Sequence, residues 1–222
     1  DIDGTLFRSS LLIELVKHLT REGVFDGSVY DAIREPQEAW LDREGSYDTY
    51  IDAVVDEFKD HIKGIHYGVV AEAAKAVAVQ RQHRVYRYTR DLVASLKQEG
   101  YFLVALSHSP KVIVDEFCRQ HGFDKVYGHL YDIGPQDLFT GELLDGDIMA
   151  NKANLVRRVY EKEDVTREDS VGVGDTRSDV PFLELVDRPI CFNPSEELYT
   201  HAGRMGWEVI VERKDVIYEL GT

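Results

Sequence analysis

Asp1 and Asp3 stand two positions apart at the head of the stretch Asp1-Ile2-Asp3-Gly4-Thr5, followed by Leu6. Two carboxylates at this spacing can divide the work of opening a phosphate ester. One attacks phosphorus in line and forms an acyl phosphate that water then cleaves. The other protonates the leaving oxygen and later takes a proton from that water. Asp1 fits the nucleophile and Asp3 the acid/base. Carboxylate and phosphate repel each other at close range, so the pair calls for a divalent cation. Gly4 permits a sharp turn that brings backbone N–H groups near an anion. By itself the stretch also reads as an ordinary acidic turn.

Three further places carry chemistry. Ser107 closes the apolar run Tyr101-Phe102-Leu103-Val104-Ala105-Leu106 and precedes His108, Ser109 and Pro110. Lys152 stands at the start of a helical pattern, with Lys111 as a competing cation four residues after Ser107. Gly174-Asp175-Thr176-Arg177-Ser178-Asp179 follows a second apolar run and puts two carboxylates one helical turn apart. Each has a plainer reading: a helix cap for Ser107 and Asp175, a solvated charge for Lys152.

The elements that must position these residues alternate. Residues 9–23 read as a helix with Ser9 or Ser10 as cap, and Leu11, Leu12, Leu15, Val16 and Leu19 on one face. Helices follow at 28–44, where Pro36 weakens the pattern, at 46–63, capped by Ser46, and at about 66–80. No strand pattern interrupts these four. Beyond them come a helix over 88–99, the strand 101–106, a helix ending at Gly122, and a short strand at Val126-Tyr127. Loops and a hairpin are expected over 131–148, then a helix from Asn151 or Lys152 to about 163, and the strand Ser170–Gly174. The strand Ile190-Cys191-Phe192, a helix near 195–205 and the strand Trp207–Val211 complete the pattern. Such alternation predicts an α/β fold with a parallel, doubly wound, Rossmann-like sheet. Ligands in such sheets sit at the carboxyl ends of the strands, where Asp1, Ser107 and Asp175 fall.

In this order the four stretches resemble the motifs of the haloacid dehalogenase superfamily, in its phosphoserine phosphatase-like branch. The resemblance implies a magnesium-dependent phosphatase acting on a small phosphomonoester through an aspartyl phosphate. It implies a catalytic core at 1–9 and 84–222 and an all-helical cap at 10–83, inserted between the first and second motifs. Asp1 and Asp3 take the catalytic roles; Gly4, Ser107, His108 and Lys152 hold the phosphoryl group. Asp1, Asp175, the Asp3 backbone carbonyl and, through water, Asp179 hold Mg2+. Asp179 alternatively holds Lys152. The resemblance implies that an Asp at position 3 serves hydrolysis of the intermediate. The pattern departs at His108 and Ser109, where phosphoserine phosphatase resembles Gly-Gly; His108 either shapes the pocket or faces solvent. Arg8 is the candidate grip for a substrate carboxylate, ahead of Glu14, Arg34 and Tyr47. The motif also leads us to expect a short apolar strand immediately upstream of Asp1. Phosphoserine, a sugar phosphate and histidinol phosphate all suit the pattern. A phosphotransferase using the same intermediate and a silent phosphate-binding protein would carry the same residues.

Composition narrows the partners. With 26 Lys and Arg against 41 Asp and Glu, the formal net charge is −15, which disfavours non-specific binding to nucleic acid or an anionic membrane. A phosphate site on such a chain has to be made locally. Cys118 and Cys191 form no C-x-x-C pair, as expected in a reducing cytoplasm. No apolar run approaches the ~20 residues of a membrane-spanning helix.

Overall fold

The computed structural model describes residues 1–144 and 151–220. The glycine at 146, part of the loop reading, lies outside the described residues. Four helices follow the first loop: α1 (Leu11–Arg21), α2 (Ser28–Leu41), α3 (Tyr47–Ile62) and α4 (Tyr67–Arg81). Their apolar faces meet in one cluster that includes Leu15, Leu19, Ile33, Val54, Phe58 and Val77, all buried. Burying each such side chain contributes roughly 1.5–3 kcal/mol. Pro36 sits inside α2, whose helical span ends at Leu41, three residues earlier than the pattern suggests.

The sheet elements follow. α5 (Arg87–Gln98) leads into β1 (Val104–Pro110), α6 (Lys111–Gln120) and β2 (Lys125–His129). β1 and β2 pair in parallel, with Val104 opposite Lys125 and Leu106 opposite Tyr127. β1 therefore runs past Ser107 to Pro110, further than the apolar run alone indicates. After α7 (Lys152–Lys162) come β5 (Val171–Gly174), the short α8 (Val180–Leu183), β6 (Arg188–Phe192), α9 (Glu196–Met205), β7 (Glu208–Arg213) and β8 (Val216–Leu220). β5, β6 and β7 are parallel, while β8 returns antiparallel along β7. The helix-connected parallel ladders agree with the expected α/β core. The antiparallel edge strand β8 was not legible, because four of its five residues are exposed and no continuous apolar run marks it. An apolar cavity of about 510 Å³ lies between the β1 and β5 edges, lined by Val104, Leu106, Val171 and Val173 among others. The Asp1 backbone nitrogen donates to the Val173 carbonyl oxygen at 2.9 Å.

The expected hairpin consists of β3 (Tyr131–Ile133) and β4 (Phe139–Leu143). It packs against the four-helix region. Tyr131 meets Phe58 edge-on at 5.1 Å, Phe139 donates its amide to Ile65 O, and Gly64 donates to Phe139 O. The helical region is thus fastened at its α3–α4 turn as well as at its own chain ends. There, Phe7 bridges to Val85 and the Arg8 amide donates to Arg84 O.

Candidate active site

Residues 2–9 form a tight loop. The Ile2 carbonyl accepts from the amides of Thr5, Leu6 and Phe7, and Gly4 donates to the carbonyls of Phe7 and Ser9. The Gly4 N–H is therefore used inside the loop and does not point at an anion, as the sequence suggested. What glycine supplies here is close approach: its φ is +83°, and a Cβ would stand 2.1 Å from Asp175 Oδ2. Gly174 plays a similar part, since a Cβ there would lie 2.5 Å from the Asp179 Cβ.

Lys152 links the first and fourth motifs. Asn151 caps α7 by accepting from the Ala153 amide, which starts the helix with Lys152 pointing inward. Its ammonium lies 2.6 Å from Asp1 Oδ1 and 2.6 Å from Asp179 Oδ1, with the side chain only 3% exposed. Lys111, the competing cation, is occupied by Asp115 and the Val126 carbonyl instead. Asp179 uses its second oxygen to accept from the Asp175 and Thr176 amides, each at 3.0 Å. Burial works to raise the Asp179 carboxyl, but Lys152 and the surrounding hydrogen bonds outweigh it and hold the group below its ordinary range. Both Asp179 oxygens thus serve to place Lys152 and the loop. Asp175 differs: burial, then the charge of Asp179, push its carboxyl up to about 7.

Asp3 faces the second motif. Its Oδ2 accepts from the Ser107 hydroxyl at 2.5 Å and the Ser109 hydroxyl at 3.0 Å, while Oδ1 accepts from the Leu11 amide. Burial raises the Asp3 carboxyl despite these donors. Ser109 also accepts from the Leu12 amide at 3.1 Å. The free amides that open α1 are therefore capped by Asp3 and Ser109, while Ser10, the local cap candidate, makes no side-chain cap bond. Ser107 is fully buried, with its hydroxyl turned to Asp3 and accepting from the Ser109 amide.

The pocket beside these groups has a volume of about 150 Å³. Asp1, Asp3, Lys152 and Asp175 line it together with His108 and Ser109. His108 is exposed at its mouth and stacks on His129 at 5.5 Å. Arg8 is not brought to the pocket; its guanidinium lies 5.4 Å from the centre of the Tyr86 ring. Glu14 is bound by Arg81 and Arg84, and Arg34 by Asp31, so neither is available to a ligand in the pocket. Sequence reasoning missed Thr5, which donates to Asp175, as well as Ser109, Asp48 and Thr176. The position of Thr5 inside the first motif was the available signal for it.

The residues present fit a hard divalent cation. One carboxylate oxygen from each of Asp1, Asp175 and Asp179 falls within 4.8 Å of the others. Asp1 Oδ2 is buried without a hydrogen-bond partner among the described residues. Carboxylates crowded in this way, with one ammonium among them, are a donor set suited to Mg2+. The Asp3 carboxylate lies outside this group.

Comparison with known proteins adds to this geometry. The family model of haloacid dehalogenase-like hydrolases matches residues 1–184. A histidinol-phosphatase of Neisseria meningitidis serogroup C is 23% identical over 221 residues, covering 95% of this chain and 96% of the relative. A phosphoserine phosphatase of Archaeoglobus fulgidus is 28% identical over 133 residues, covering 56% of this chain and 38% of its own. A phosphoserine phosphatase structure carrying a phospho-aspartyl intermediate analogue superposes with a TM-score of 0.64 at 16% identity, covering 97% of this chain and 92% of the other.

Proposed function

Because this chain belongs to the haloacid dehalogenase-like hydrolase family, we propose that it is a magnesium-dependent phosphatase that cleaves a small phosphomonoester through an aspartyl phosphate on Asp1. The observation that carries this reading is the Lys152 ammonium, 2.6 Å from both Asp1 and Asp179 in a pocket also lined by Asp3 and Asp175. A carboxylate held by an ammonium can approach a phosphoryl group without full charge repulsion.

The steps follow from the residues. An Asp1 oxygen attacks phosphorus, and the bond from phosphorus to the ester oxygen breaks. Asp3, whose carboxyl burial holds above its ordinary range, gives its proton to the leaving oxygen. Asp3 then takes a proton from water as the water oxygen attacks phosphorus, releasing inorganic phosphate and restoring Asp1. Lys152 and His108, which line the pocket, orient the phosphoryl oxygens, while the Ser107 and Ser109 hydroxyls hold Asp3 in place. Asp1 and Asp175, with the Asp3 carbonyl, would hold Mg2+, which neutralises phosphoryl charge in flight; Asp179 supports them by holding Lys152.

Residues 10–83 serve as a helical cap over the pocket, since Tyr47, Ile51 and Val55 of α3 form one of its walls. A cap excludes water during attack and admits only small esters. Histidinol phosphate and phosphoserine, the substrates in the names of the two relatives, are both of suitable size. Hydrolysis of p-nitrophenyl phosphate by the full chain, with Mg2+ or with chelator, tests the reading beside an Asp1→Asn control. Turnover that needs Mg2+ and vanishes in the control supports it. Absence of turnover together with failure to bind a fluoride complex that mimics phosphate would overturn it.

A further inference from the structure

Resting on that reading, the wall opposite the phosphate-handling groups limits what else the substrate can carry. It is built by the first turns of α3, with Tyr47, Asp48, Ile51 and Val55, and by Leu12 of α1. Positions 47, 51 and 55 recur at helical spacing, so they share one face. The pocket volume is about 150 Å³.

Charge on this wall has one sign. Among the described residues lining the pocket, Lys152 is the only Lys or Arg, and its ammonium is held by Asp1 and Asp179. The sequence at 145–150, Asp-Gly-Asp-Ile-Met-Ala, carries no Lys or Arg. Arg8 lies over Tyr86, away from the pocket. A substrate carboxylate would find no fork donor and would meet the carboxylate of Asp48. The amino end of α3 offers it little, because Ser46 Oγ already accepts the Thr49 amide and Asp48 sits in the first turn.

A cation finds the opposite. Asp48, an exposed residue of the pocket lining, offers a charge-assisted hydrogen bond, and the Tyr47 ring lines the pocket beside it. That ring is held by edge contacts with Trp40 at 5.3 Å and Tyr50 at 6.3 Å. We infer that the site selects phosphomonoesters whose leaving group carries an ammonium or imidazolium and no carboxylate, with Asp48 as the residue that recognises the cation.

Three small esters isolate the two features. O-phosphoethanolamine carries the ammonium, n-propyl phosphate replaces it with a methyl group, and O-phosphoserine adds a carboxylate. The full chain with Mg2+ should give a kcat/KM for phosphoethanolamine about tenfold or more above propyl phosphate, as one charged hydrogen bond allows. Phosphoserine should fall below phosphoethanolamine. Asp48→Asn should collapse the phosphoethanolamine-to-propyl ratio by about tenfold, and Asp48→Lys should move preference toward phosphoserine. Ratios taken on one preparation do not depend on how much of it is folded. An unchanged ratio in Asp48→Asn, or phosphoserine equal to phosphoethanolamine in the wild type, overturns the inference. Hydrolysis of p-nitrophenyl phosphate separates the two levels. If it is hydrolysed and no cation preference appears, only the cation inference fails. If it is not hydrolysed and the phosphate-mimicking fluoride complex does not bind, the phosphatase reading fails and takes this inference with it.

Discussion

A Cβ on Gly4 would stand 2.1 Å from Asp175 Oδ2, so the first and fourth motifs touch at a point where no other residue fits. The left-handed φ of +83° adds strain for any L side chain, of order 1–2 kcal/mol. Gly4→Ala should lower Tm by roughly 2–8 °C and displace the Asp175 carboxylate. Mg2+ affinity, measured by calorimetry, should fall more than stability does. A variant with unchanged Mg2+ affinity would show that Asp175 is not placed by Gly4.

Lys152 makes the converse prediction. Its removal leaves Asp1 and Asp179 as buried carboxylates without their ammonium, a loss of roughly 3–5 kcal/mol. Lys152→Met should unfold at markedly lower denaturant and show no turnover. Lys152→Arg keeps the charge but cannot place a planar fork between two oxygens that are each 2.6 Å from one nitrogen. It should recover part of the stability and little of the activity. Equal stability of the Met and Arg variants would remove the charge argument.

Ser109 joins two parts of the chain that are far apart in sequence. Its hydroxyl donates to Asp3 and accepts the Leu12 amide that opens α1. Ser109→Ala removes both bonds from a site only 3% exposed, at a cost of about 1–2 kcal/mol. The amides at the start of α1 should exchange faster with deuterium, while those in the middle of α3 stay protected. Uniform exchange across both helices would mean that Ser109 stabilises the chain globally.

These bonds also explain what the sequence could and could not disclose. Helix faces and buried parallel strands leave a periodic or continuous apolar pattern, so α1, α3, β1 and β5 are legible within a few residues. The choice of Lys152 over Lys111 is legible too, because motif order restricts which cation can reach the site. A cap supplied from 97 positions away, as Ser109 supplies the Leu12 amide, leaves no local trace. Ser9 or Ser10, adjacent and of the right type, was the natural expectation. Arg8 misleads for the same reason: nearness to the nucleophile in sequence does not set direction, and its backbone bond to Arg84 goes with a side chain that lies over Tyr86.

Asp124 gives a pH-dependent test away from the site. It joins the end of α5 to the start of β1, accepting from Lys97 Nζ at 2.6 Å and the Leu103 amide at 2.8 Å. Burial opposes ionisation, but these donors together outweigh it and hold its carboxyl below the usual value. A lowered folded-state pKa means that the stabilisation is present above the unfolded value of 3.8 and is lost as pH falls through the lower folded value. The group is largely solvated, so the contribution is about 1 kcal/mol or less. Asp124→Asn should be less stable than wild type at pH 7 by that amount, and the gap should close as pH falls below 3.8 and through the lower folded value. A gap that persists at low pH would assign the effect to packing.

Cation binding supplies the last test, with a readout that needs no substrate. Asp1, Asp175 and Asp179 crowd three carboxylates around one ammonium, and burial with the Asp179 charge pushes Asp175 up to about 7. A divalent cation that binds the folded chain and not the unfolded one must raise Tm, by a free energy of about 2.7 kcal/mol at a hundred times its Kd. At roughly 2–4 °C per kcal/mol for a chain of this size, saturating Mg2+ should raise Tm by about 5–11 °C, and chelator should reverse the shift. Asp175→Asn removes one charged ligand and part of the crowding together. It should therefore raise the Tm of the metal-free chain while abolishing most of the Mg2+ response. A variant whose metal-free Tm falls and whose Mg2+ shift persists would show that Asp175 is structural and that the cation is held by other groups.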